Sequence, residues 1–124
     1  MNALKTLTLA TLVGFSFNAS AQLKTPAPSP LQTVKQAFAL SDITIEYSRP
    51  SAKGRKIYGD LVPFDALWRT GANASTKITF GEDVKLEGNA VPAGTYSLYT
   101  IPGKAEWTIV LNKNLINWGI DGYK

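Results

Sequence analysis

Neither cysteine nor histidine occurs anywhere in the 124 residues. Their absence removes the usual zinc ligands, histidine general bases, cysteine nucleophiles and the Ser-His-Asp triad from the chemistry open to this chain. Disulfides go with them, so a small domain must be held together by packing or by partner chains. No glycine-rich phosphate loop of the P-loop or dinucleotide type is present, and the sequence asks for no cofactor. Charge is scarce as well. Charged residues make up 18% of the chain, with a formal net charge of +4, too small a surplus to argue a nucleic-acid partner.

Long hydrophobic runs are missing except at the start. Residues 1–21 read as a secretory signal peptide: Lys5 charges the beginning, Leu7 to Phe17 is a short apolar run, and Ala19-Ser20-Ala21 offers a small-x-small cleavage pattern. The run is shorter than the roughly 18 residues a membrane-spanning helix needs. The expected product is exported, periplasmic or extracellular, with no transmembrane segment once the signal is removed. Residues 22–30 follow as a proline-rich linker carrying Pro26, Pro28 and Pro30. Residues 31–124 form a single domain near the lower edge of the usual size range.

What remains is mostly short alternating segments. Residues 31–40 fit a strand, Ser41-Asp42 a turn, and Ile43 to Tyr47 a second strand with Ile43, Ile45 and Tyr47 on one face. Further strands are expected at Thr76–Phe80, Val84–Glu87, Thr95–Ile101 and Trp107–Leu111, with Gly81-Glu82-Asp83, Gly88-Asn89 and Pro102-Gly103 as turns. Short strands at this spacing predict an all-β fold, an antiparallel β-sandwich or barrel-like sheet. Tyr47, Tyr96 and Trp107 are expected in the core. The segment Trp118 to Lys124 has no following strand to pair with, so an unpaired sheet edge open to self-association is expected at the C-terminal end.

One long stretch, Tyr47 to Asn73, fits neither the helical nor the strand period. It holds all three arginines of the protein, Arg49, Arg55 and Arg69, together with Tyr58 and Trp68. Guanidinium forks bind carboxylate, phosphate or vicinal hydroxyls through paired hydrogen bonds, and Asn73 adds a neutral donor and acceptor. Arg49, Arg55, Tyr58, Trp68, Arg69 and Asn73 are therefore the candidate ligand-binding residues, for a glycan or an anionic small molecule. The competing reading has the arginines bracing the loop by bonding to backbone carbonyls and to Asp60 or Asp65. A carboxylate-based hydrolase would have to use Asp60 or Asp65, the acidic pair close to the arginines.

Several segments carry a resemblance. Ile45-Glu46-Tyr47-Ser48-Arg49-Pro50-Ser51, Lys53-Gly54-Arg55, Gly59 with Leu61-Val62-Pro63-Phe64, Trp68-Arg69-Thr70-Gly71-Ala72-Asn73, Ala93-Gly94-Thr95-Tyr96-Ser97-Leu98, Ile101-Pro102-Gly103, Glu106-Trp107-Thr108-Ile109 and Trp118-Gly119 occur in this order. Together they resemble the bacterial domain of unknown function 2911 from about Pro30 to the end. The resemblance implies an exported bacterial protein of unassigned activity. Members of that family continue well past the Trp-Gly segment, so the resemblance also implies a chain truncated at its C-terminal end.

Overall fold

The computed structural model describes residues 23–121 and 123; the expected signal peptide lies outside the described residues. Every regular element among them is a strand: β1 Leu31–Phe38, β2 Ser41–Ser48, β3 Ala72–Phe80, β4 Val84–Leu86, β5 Asn89–Val91, β6 Gly94–Pro102 and β7 Trp107–Asn112. They form a five-stranded sheet in the order β1-β2-β3-β6-β7 and a two-stranded sheet, β4-β5, with all strand pairs antiparallel. The fold is all-β and sandwich-like, and the large sheet stays open.

The hairpins follow from local chemistry, with shifts of one or two residues from the sequence expectation. The first turn is Ala39-Leu40 and not Ser41-Asp42, because Ser41 already pairs with Phe38; Ala39 takes the positive φ of 51° that a tight two-residue turn requires. The second is Glu87-Gly88, both at positive φ, and not Gly88-Asn89, which frees Asn89 to begin a strand. Such a pair of positive φ values matches the right-handed twist of the flanking strands.

Strict alternation gives the large sheet two unlike faces. The register aligns Val34, Ile45, Ile78 and Tyr96 across four strands, and Leu98 with Leu111 on the next pair. This is the apolar face. The other face is rich in hydroxyls and carries Thr44, Thr79, Thr95 and Ser97, with Thr79 and Thr95 joined at 2.8 Å. The fully buried Tyr99 also belongs to it. The core is small: Val62, Phe80, Tyr96 and Tyr99 are the buried large apolar side chains. Tyr96 takes its expected core place and donates its hydroxyl to the Pro92 carbonyl at 2.8 Å. Tyr47 is only half-buried.

The C-terminal segment is not the free edge the sequence suggested. Ala74 and Trp118 form an antiparallel bridge; Ser75 N donates to Asn117 O, and Gly119 N to Asn73 O. Residues 117–119 thus cover the start of β3. Among the described residues, the unpaired edges of the large sheet are β1 and β7.

Candidate functional site

The long irregular stretch, residues 49–71, folds as three tight pieces fastened to the sheet. In the first, Lys53 and Gly54 take positive φ and Arg55 N closes the turn on Ala52 O. Arg55 then donates Nε to Ala52 O at 3.0 Å and Nη2 to Ser51 O at 2.9 Å. In the second, Tyr58 and Val62 bridge; Val62 N donates to Ile57 O and Gly59 N to Val62 O. Gly59 has φ +85°, and a Cβ there would lie 2.7 Å from the Phe64 ring. In the third, Asp65 N donates to Pro102 O, and Trp68 pairs with Thr100. This piece takes up the flank of β6 that β3 leaves free, since β3 pairs with β6 only as far as Thr76.

The pairing of Trp68 with Thr100 sets where the key side chains go. Neighbours in an extended segment point to opposite faces. Trp68 shares the apolar face with Trp107 and Tyr58. The ring centroids are 6.2 Å apart for Tyr58–Trp68, 5.2 Å for Tyr58–Trp107 and 6.3 Å for Trp68–Trp107, all edge-on. Arg69 turns the other way, where its Nη1 stands beside Gly119. Its Nε is buried with no hydrogen-bond partner.

Two grooves meet at the aromatic cluster. The first, about 540 Å³, is lined by Tyr58 and Trp68 with Ile57, Leu61, Arg55 and Pro50. The second, about 520 Å³, lies between the β4-β5 hairpin and Trp107, Ile109 and Leu111 of β7. Tyr58 and Trp107 are each 45% exposed at this junction. An aromatic cluster left half in water next to a guanidinium is suited to ligands that combine an apolar face with polar edges.

The six candidate residues therefore do not form one constellation. Arg55, Tyr58 and Trp68 come together in the first groove. Arg69 also lines that groove, as well as a smaller hollow of about 190 Å³ that includes Trp68 and Ile120, and its Nη1 stands beside Gly119. Arg49 lines a separate depression with Pro30 and Pro50. Asn73 lies within β3 and not on a turn; at φ 59° it marks an irregularity in that strand, and its carbonyl accepts from Gly119.

Trp107 corrects the expected core. It lies on the apolar face as its alternation required, but nothing covers that end of the face fully, so it joins the exposed cluster. Pairing of the loop arginines with Asp60 or Asp65 is likewise absent: Lys35–Asp42 at 3.0 Å is the ion pair formed among the described residues. Asp60 and Asp65 line neither aromatic groove. No cluster of three or more potential metal ligands occurs among the described residues, and no helix long and apolar enough to cross a membrane is found among them.

The family model described as Protein of unknown function (DUF2911) matches residues 29–124. The chain belongs to this family. Comparison with curated proteins and with solved structures gives no match. The DUF2911 match takes in the whole irregular stretch, both aromatic grooves and the Trp118-Gly119 bridge to β3.

Proposed function

We propose that this DUF2911 domain is an exported, non-enzymatic binding module whose aromatic groove takes a glycan of the cell envelope, with or without an anionic group. The observation that carries the reading is the cluster of Tyr58, Trp68 and Trp107, rings 5.2 to 6.3 Å apart, of which Tyr58 and Trp68 line an open groove together with Arg55. A sugar ring has an apolar C–H face and a rim of hydroxyls. Aromatic faces suit the first and a fixed guanidinium the second. Arg55 is fixed in this sense, since two of its nitrogens are tied to Ser51 and Ala52 carbonyls. Residues 1–21 supply the route of export.

Those same two bonds favour a second reading, in which Arg55 serves only to brace its turn. The two separate in one experiment: a glycan array followed by titration of the best hit against the wild type, Tyr58→Ala and Arg49→Ala. Binding that falls at least tenfold in Tyr58→Ala and holds in Arg49→Ala is the expected result. An array with no hits, or a hit indifferent to Tyr58, leaves bracing as the role of the stretch.

A further inference from the structure

Strand β7 ends the large sheet, and among the described residues no strand pairs with its outer side. Its sequence, Trp107-Thr108-Ile109-Val110-Leu111-Asn112, contains no charge, no proline and no glycine. Sheet edges are ordinarily blunted by lysine, proline, a bulge or a covering loop, because a free row of N–H and C=O groups is a template for another strand. The opposite edge follows that rule, with Lys35 in the middle of β1 and Pro30 immediately before it. β7 does not. Trp107 and Ile109 are 45% and 49% exposed beside a groove of about 520 Å³.

We propose that β7 pairs antiparallel with β7 of a second copy of this chain, joining two sheets into one across a two-fold axis. Directly opposed residues in an antiparallel pair share a face, so the axis must fall midway between a residue and its own copy. Centred on Ile109, the pairing sets Ile109 against the partner's Ile109, Trp107 against the partner's Leu111 and Thr108 against the partner's Val110. Apolar meets apolar on one face, and the other face meets without charge. The uncharged strand is complementary to itself, since no like charges are brought together. A two-fold contact of this kind uses the same patch on both copies and closes at the dimer. At the β1 edge, a pairing centred on Lys35 would set that charge against its own copy.

This pairing does not rest on the glycan reading, although Trp107 belongs to both, because it uses the edge of the sheet and no ligand. Sedimentation velocity over a concentration series tests it on the wild type, Ile109→Lys and Val34→Lys. The wild type and Val34→Lys should pass from monomer to dimer as concentration rises, and Ile109→Lys should stay monomeric. A wild type that remains monomeric throughout overturns the proposal. So does a dimer that survives Ile109→Lys, or one lost equally in Val34→Lys. Amide hydrogen exchange on the wild type supplies a check free of mutation: protection should rise with concentration in residues 108–111. A concentration-dependent rise confined to residues 31–38 would assign the contact to the wrong edge and overturn it too.

Discussion

Trp68 and Thr100 exchange both of their backbone hydrogen bonds, at 2.8 and 3.0 Å. That bridge sets Arg69 directly across from Tyr99 on the hydroxyl-rich face, and both residues carry a buried polar atom without a partner: Nε of Arg69 and the hydroxyl of Tyr99. Tyr99 is completely buried, with its ring edge-on to Tyr123 at 5.2 Å. A buried hydroxyl with no acceptor or donor costs free energy that its removal returns. Tyr99→Phe should therefore leave stability unchanged or raise it by up to about 1 kcal/mol, read from urea unfolding. A clear loss in Tyr99→Phe would mean that the hydroxyl makes a contact in solution.

Gly59 is the tightest point of the irregular stretch. Its φ of +85° is one that side chains rarely adopt, and a Cβ would meet Phe64 at 2.7 Å. Gly59→Ala should lower stability by about 1–3 kcal/mol. The double variant Gly59→Ala, Phe64→Leu should recover the part that comes from the ring and not the part that comes from φ. Equal costs in the single and double variants would assign the whole effect to the backbone.

Ser97 ties the C-terminal segment to the sheet. It is fully buried, donates its hydroxyl to Asn114 O at 2.7 Å and lies 3.2 Å from the Ser75 hydroxyl. Ser97→Ala removes both of these bonds and should cost about 1–2 kcal/mol. Its distinguishing sign is local: amide exchange in residues 117–119 should speed up more than exchange in β2.

The sheet was legible because its residues alternate without conflict. Ile43, Ile45 and Tyr47 announce one face of β2, and Trp107, Ile109 and Leu111 one face of β7, and the register honours both sets. β5 was not legible: Asn89-Ala90-Val91 is too short and too poor in β-branched residues to stand out, and it is a strand only because Glu87-Gly88 turns the chain back on β4. The site was half legible. Tyr58, Trp68 and Arg55 could be picked out as aromatic and cationic residues in an aperiodic stretch. That the Arg69 guanidinium would part from Trp68 could not, since nothing in the stretch announces that Trp68 pairs with Thr100 of β6. Trp107 was hidden for the opposite reason: its period marked the face correctly, but period does not say whether a face is covered.

Ser48 and Ala72, the residues on either side of the irregular stretch, are paired partners in the sheet. The stretch therefore leaves and re-enters the fold at one point, like a purse drawn shut at its neck. Residues gained or lost at the exposed Lys53-Gly54 turn would change what the groove presents without passing a register shift to β2 or β3. The length of the turn and the register of the sheet can thus vary separately.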